Sequence, residues 1–501
     1  MTKIASPKRK GPPNRMNDLS YREWMRFQKS FFYFTDFSAL AQETIQFFTK
    51  NQWPNGSISR SLIIGKDAQR LSESKLGFRF IERITAPPSI PHLINILSTK
   101  VSSNTRFDYV LIDLRDYFED EKEIAIFLRG HALNLAQSIR ELTEENKYCG
   151  LLVAFSHSKE FMFPFPWAVA LACRNHLRLR DEKIGLIEEP GDENSIVYFL
   201  ILQATADERP PTLLSPAGFN YASETFKIPL WLIVRSPPRS KDEKFHPAKF
   251  PEPLVEKFIQ LFTNEGDRVF DPMAGTGSAL LAAAKLNRAA FGLELIPTFV
   301  NITKKRVAAF YPKSLDQWLD DFETHKTSKP KIQILEGDAR HISNNIPLQE
   351  QQFHYCITSP PYWSMLTSKG SEYQRQRRKD KILQTYSDDP RDLGNITDYD
   401  EFLNVLVDIY NQVALKLKDG GYLTIIVKNI KQKQVIYPLA WDLFRYLCRN
   451  DEKGKYDYVG TTLWCQNDTK IRPFALGIHW TSNTLHTFCI HFKKRSSGNS
   501  N

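Results

Sequence analysis

A chain of 501 residues, 42% hydrophobic and 25% charged, has room for two or three domains with full cores and the composition of a soluble globular protein. It holds no apolar run long enough to span a bilayer and no basic, apolar and small-residue leader, so the sequence argues against membrane insertion and export and points to the cytoplasm. A net charge of +10 favours a polyanionic partner, because Lys and Arg at phosphates release condensed counterions. Six scattered cysteines, with no CxxC pair and no His/Cys cluster, read as reduced core residues rather than disulfides or metal ligands.

Residues 1–16 (MTKIASPKRKGPPNRM) combine basic residues, Pro and Gly with few large apolar side chains. They predict a disordered arm, either touching phosphates or simply solvated. From Asn17 the run NDLSYREWMRFQKSFFYF interleaves aromatic residues with Arg and Lys, which packs an amphipathic helix or stacks on bases. Next come a strand and turn at 107–118 (FDYVLIDLRDYF), a helix and strand at 127–155, another helix and strand at 168–189, and a closing strand at 194–204. The stretch 205–225 is rich in Pro, Ala and Ser and reads as an interdomain linker.

The second half repeats that order. FHYCITSPPYW (353–363), a helix and strand at 402–427, a helix and strand at 438–464 and a final strand at 483–494 follow the same sequence of elements, and FSALAQETIQFFTKN (37–51) parallels FPEPLVEKFIQLFTNEG (250–266). An internal duplication is expected. The copies differ in chemistry: between residues 52 and 106 there is no GxG loop after a strand, and Asp113-Leu114-Arg115-Asp116 stands where the second copy has SPPY.

In the second copy RVFDPMAGTGSALLAAAKL places an apolar strand ending on Asp271, a small-residue loop and an Ala/Leu helix in succession. Glycines there allow positive φ and let a ligand approach without meeting a Cβ. Three more apolar runs end on Glu294, Asp338 and Ser359, so four strands deliver polar groups at their carboxyl ends.

DPMAGTGS followed by TSPPYW resembles the S-adenosylmethionine-dependent DNA amino-methyltransferases of the N4-cytosine type, over roughly residues 240–492. The resemblance implies an α/β class I (Rossmann-like) methyltransferase fold in a catalytic domain at 226–495, ahead of a short tail at 496–501. The 17–204 half would be a degenerate methyltransferase-like α/β domain for DNA recognition or scaffolding. It implies that His246, Pro247, Phe250, Asp271, Ala274, Gly275, Thr276, Gly277, Ser278, Glu294 and Asp338 bind S-adenosylmethionine, with Glu294 at the ribose hydroxyls and Asp338 at the adenine amine.

Ser359, Pro360, Pro361 and Tyr362 would hold a base flipped out of double-stranded DNA: Ser359 and the Pro360 carbonyl accept from the amine, the prolines fix φ, and Tyr362 stacks. No metal is needed. Between Lys369 and Lys381 six basic residues (Lys369, Arg375, Arg377, Arg378, Lys379, Lys381) face two acids, giving a loop that contacts DNA phosphates or is merely solvated. A restriction-modification role, with a cognate restriction endonuclease as a further partner, or epigenetic marking fits. Adenine-N6 methylation, an RNA amino-methyltransferase and a non-catalytic nucleic-acid-binding module stand as alternatives.

Overall fold

The computed structural model describes residues 16–155, 163–188, 195–223, 227–235, 250–310, 331–344, 352–361, 363, 389–432, 434–468, 471 and 480–496. The predicted basic arm, apart from Met16, lies outside them. The chain divides into two compact units: Met1–Pro216 with Lys431–Ile436 and Thr469–His486, and Ala217–Ile430 with Tyr437–Asp468 and Thr487–Asn501. The boundary falls inside the predicted linker. Residues 217–223 are not free chain, since Phe219 and Tyr221 form β-bridges to Arg449 and Tyr458 within the second unit.

The first unit runs α1 (Tyr21–Arg26), β1 (Phe31–Tyr33), α2 (Phe37–Phe48), β2 (Arg60–Ile64), β3 (Phe80–Ile84), α3 (Ile90–Ser102), β4 (Phe107–Asp113), α4 (Glu121–Ile126), α5 (Ala132–Leu142), β5 (Thr143–Phe155), α6 (Phe165–Ala172), β6 (Arg178–Ile187) and β7 (Ser195–Gln203). Its sheet has the order β1-β6-β7-β5-β4-β2-β3, parallel except that β7 runs antiparallel to β5 and β6.

The second half supplies β8 (Trp231–Ile233), α7 (Glu252–Phe262), β9 (Arg268–Asp271), α8 (Ser278–Lys285), β10 (Ala289–Glu294), α9 (Pro297–Phe310), β11 (Ile332–Glu336), β12 (Phe353–Thr358), α10 (Tyr399–Lys416), β13 (Leu417–Val427), a hairpin of β14 (Ile430–Gln432) and β15 (Val435–Tyr437), α11 (Leu439–Leu447), β16 (Tyr456–Cys465) and β17 (His486–Lys494). The large sheet has the order β11-β10-β9-β12-β13-β17-β16-β8, with β17 antiparallel to β13. This is an α/β Rossmann-like methyltransferase fold, with helices covering mixed sheets.

The two sheets carry one strand order, and among the described residues the first has no counterpart of β11. The likeness extends to side chains. Both fourth-strand pairs break register at the same place, between Phe107 and Tyr109 and between Phe353 and Tyr355. The Arg60 amide donates to Asp108 at 3.0 Å and the Arg268 amide to His354 Nδ1 at 3.0 Å.

Helices α2 and α7 end on Thr49 and Thr263, each hydroxyl donating to the carbonyl four residues back at 2.6 Å. Arg79 and Arg288 then donate to the hydroxyl and carbonyl oxygens of these threonines, pinning the helix ends to the starts of β3 and β10, one strand beyond the next. What differs is the loop between. In the first unit Gly65 leads into 3-10 turns at Ala68–Arg70 and Glu73–Lys75 in place of α8, and a Cβ on Gly65 would strike the Phe37 ring at 2.4 Å.

The first unit completes its core with residues far down the chain. Trp480, fully buried, packs on Phe27, Phe47, Phe48 and Tyr148 and donates its indole N–H to Gln28 at 3.0 Å. Buried Asp181 is neutralised by Lys431 at 2.5 Å and accepts from the Ser482 amide at 2.6 Å. All six cysteines are buried and unbonded to one another, and no described helix is long and apolar enough to cross a membrane. Trp480→Ala should therefore lower the urea-unfolding free energy by about 3–5 kcal/mol, the range for emptying a large aromatic site. A loss below about 1 kcal/mol would mean that residues 480–486 do not complete this core.

Candidate active site

Strand β9 ends on Asp271, fully buried, and the chain turns through Pro272–Gly277 into α8. Gly275 and Gly277 take φ of 53° and 78°, the region where a Cβ is penalised, and a Cβ on Gly277 would lie 2.5 Å from Thr303 Cγ2. Residues Ser278–Ala284 of α8 are all buried, the short Ala side chains letting the helix lie close. Two residues of α9 hold the loop's carbonyls: Thr303 Oγ1 donates to Gly275 O at 3.0 Å and Arg306 to Thr276 O.

Two carboxylates tie the strand ends to this loop. Glu294, the last residue of β10, accepts from the Gly275 amide at 2.7 Å through Oε2 and from the Ile296 amide at 2.9 Å through Oε1. Asp271 Oδ1 accepts from Thr358 Oγ1, at the end of β12, at 2.6 Å and from the Met273 amide at 3.1 Å. Asp271 Oδ2 is buried with no hydrogen-bond partner among the described residues. Burial pushes both acids up to about 7, against the hydrogen bonds they accept. Asp338, two residues past β11, behaves differently: partial burial raises it, but Arg340 donates through its amide, Nε and Nη2 at 2.7–3.1 Å and holds it below the usual range.

Glu294 and Asp338 border one cleft of about 810 Å³, mouth included. Of the expected residues, Phe250, Ala274, Gly275, Thr276, Ser278, Glu294, Asp338, Ser359, Pro360 and Pro361 line it, while Asp271 and Gly277 are not on its wall and act on the loop that is. His246, Pro247, Tyr362 and the loop residues Lys369, Arg375, Arg377, Arg378, Lys379 and Lys381 lie outside the described residues.

The sequence reading missed Met273, Ile296, Phe299, Arg391, Asp392 and Leu393, all on the wall. Asp389 holds Arg391 through the same Asp-x-Arg spacing as Asp338 and Arg340, with Nη2 at 2.6 Å from Oδ2, but Asp113–Arg115 and Asp207–Arg209 pair alike off this cleft, so the spacing marks no site. Among the described residues no group of three His, Cys, Asp or Glu is placed to hold a metal.

The donor set fits S-adenosylmethionine. On the cleft wall the strand-end acid Glu294 suits a ribose diol and the apolar Phe250, Ile296, Phe299 and Leu393 suit a ring, while the unpaired Asp271 Oδ2 lies off that wall. A nearby positive charge would return both raised acids to their ionised forms.

The pH dependence has a definite sign. In the unfolded chain these carboxyls titrate near 4, whereas in the folded protein they titrate at about 7. The folded state holds the protons more tightly, so stability falls as pH rises through the window between and is level above it. The ligand-free melting temperature should drop from pH 5.5 to pH 8 more steeply in the wild type than in Asp271→Asn. A constant gap between the two across that range would clear Asp271 as the source.

The profile of the N6_N4_Mtase family, described as DNA methylase, matches residues 9–305, more than half of the chain, taking in most of the first unit, the glycine loop and Glu294. Among curated relatives, the chain is 38% identical over 81 residues to the orphan methyltransferase M.BamHII of Bacillus amyloliquefaciens (16% of this chain, 31% of that protein). It is 35% identical over 68 residues to the type II methyltransferase M.HpaI of Haemophilus parainfluenzae (14% and 22%). It is 41% identical over 68 residues to the type II methyltransferase M.HindIII of Haemophilus influenzae (14% and 22%). The chain thus spans less than a third of the length of these relatives. With more than half of its residues under one profile, the chain belongs to the N6/N4 DNA methylase family.

Proposed function

We propose that this chain is a site-specific, S-adenosylmethionine-dependent DNA methyltransferase acting on the exocyclic N4 amine of a flipped cytosine, in restriction-modification or epigenetic marking. The second unit carries the reaction in this reading. The observation that supports it is the meeting, in one cleft, of the glycine loop, the strand-end acid Glu294 and the turn Ser359–Pro361.

When bound, the cofactor supplies an electrophilic methyl group on a sulfonium. The chain's own part is placement. An exocyclic base amine is a poor nucleophile because its lone pair is delocalised into the ring. Acceptors at Ser359 Oγ and the Pro360 carbonyl would orient that amine and favour a pyramidal nitrogen, and two consecutive prolines keep the acceptors rigid. Thr358, the residue before Ser359, already binds Asp271, so the acceptor turn and the floor of the glycine loop are joined by one 2.6 Å hydrogen bond. Ser, rather than an acid or amide, at the head of the turn favours cytosine over adenine, although the family includes both chemistries.

The matched registers support assigning catalysis to one unit only. Asp113 stands where Ser359 stands, Ile63 where Asp271 stands and Thr85 where Glu294 stands. Without those carboxylates, α8 or a counterpart of β11, the first unit would hold no cofactor. It would serve as a degenerate copy for DNA recognition or scaffolding, with the basic segment 369–381 contacting phosphates.

The test is product analysis. Protein incubated with labelled S-adenosylmethionine and duplex DNA, single-stranded DNA or RNA should yield N4-methylcytosine from DNA on nucleoside digestion and mass measurement. Ser359→Ala should lower the rate by about 10²-fold or more while changing cofactor affinity little. N6-methyladenine would overturn the base assignment, and product from RNA alone the substrate. Calorimetric titration with S-adenosylhomocysteine should give one site per chain, and two sites would return the first unit to catalysis.

A further inference from the structure

Strands β9 and β12 lie side by side at the point where the strand order reverses: the chain runs outward through β10 and β11 on one flank and through β13 on the other. Ligands of open α/β sheets enter the crevice at the carboxyl ends of the strands at such a switch point. In the second unit that crevice separates the glycine loop, which follows β9, from the acceptor turn, which follows β12. Whatever fixes its width fixes the separation of the two reactants.

The ladder between these strands is short, pairing Val269 with Tyr355 and Phe270 with Cys356 before it ends. Beyond it side chains take over. Asp271 Oδ1 accepts from the Thr358 hydroxyl at 2.6 Å, and the same oxygen accepts from the Met273 amide at 3.1 Å. Asp271 and Thr358 are fully buried behind the cleft wall, whereas Met273, two residues past Asp271, and Ser359, next to Thr358, are on it. One oxygen thus joins the backbone of the loop to the strand end that carries the acceptor turn.

The first unit supplies the contrast. Its matching ladder between β2 and β4 runs two pairs further, from Ser61–Tyr109 to Ile64–Ile112. By register Ile63 and Ile112 occupy the places of Asp271 and Thr358, and both are fully buried. There the strand ends are held together by backbone; in the second unit they part earlier and a polar pair spans the gap. Packing at this position does not require polar groups, which are costly to bury. Their presence beside the crevice calls for a role in it.

We propose that Thr358 is a positioning residue: its hydrogen bond to Asp271 sets the width of the crevice, and thereby the distance between the methyl group on the cofactor and the amine held by Ser359. This rests on the reading of the second unit as an amino-methyltransferase. Because the tie runs from the glycine loop to the acceptor turn, it also couples the two binding events, and an occupied cofactor site tightens the hold on DNA.

Thr358→Val removes the hydroxyl and keeps the branched shape, while Thr358→Ser keeps the hydroxyl. Single-turnover methylation by the full chain, on the duplex identified by product analysis, should slow by about 10- to 100-fold in Thr358→Val, the scale for a small misplacement of reacting atoms. Affinity for S-adenosylhomocysteine alone should stay near the wild-type value, and Thr358→Ser should recover most of the rate. S-adenosylhomocysteine should tighten DNA binding by about 5-fold or more in wild type and in Thr358→Ser, and leave it unchanged in Thr358→Val. Full rate in Thr358→Val, coupling that survives in it, or no coupling in wild type would overturn the inference. So would a loss of rate and coupling in Thr358→Ser, a result that decides the matter even if the Val variant folds poorly. These outcomes leave methylation by wild type intact; its absence on every nucleic acid would instead strike the underlying reading, and this inference with it.

Discussion

Two carboxyl groups buried at the ends of adjacent strands are the constraint around which the second unit is built. An acid taken out of water must be given hydrogen bonds or a counter-charge, or it holds its proton. Glu294 takes its two from backbone amides, and one of these, Gly275, belongs to the glycine loop. The loop is thus shaped by the acid as much as by its own glycines. Asp271 is served by Thr358, so the strand bearing the acceptor turn is drawn to the same point. Remove either acid and the loop, the second strand end and the acceptor turn lose a shared tie.

The first unit illustrates the converse. Its Thr49–Arg79 clamp, its register break after Phe107 and the Arg60–Asp108 contact all have counterparts in the second unit, and all lie in the scaffold rather than at the cleft. With Ile63 and Thr85 in place of acids, there is nothing buried for a glycine loop to satisfy. The loop is replaced by tight turns, and Phe37 fills the space above Gly65. Packing devices and site chemistry have separate residues in this fold, so one can be kept while the other is lost.

What could be read from the sequence was whatever the backbone demands locally. A positive φ shows as glycine at 275 and 277, a fixed turn as Pro360-Pro361, and a strand's polar end as Glu294 after an apolar run. Thr303 and Arg306, which hold the loop's carbonyls, gave no such sign because their partners lie about a helix away in sequence. Arg391, Asp392 and Leu393 reach the cleft only through the tertiary return of the chain before α10. Strands β2 and β3 escaped notice because each is five residues long and β3 has no buried residue to mark a face. The grouping of 431–436 and 469–486 with the first unit has no local signature at all.

That last feature bears on how the protein is made. Translation delivers the first unit's strands early, yet its aromatic core lacks Trp480 and its buried Asp181 lacks Lys431 until the chain is nearly complete. At about 5–20 residues per second, roughly 15 to 50 s separate the emergence of Pro216 from that of Trp480. During that interval the half synthesised first keeps an unfilled apolar site and an acid served by Lys183 but still without Lys431. Neither unit can close before the chain is nearly complete, since the second also waits for its internal strand β17.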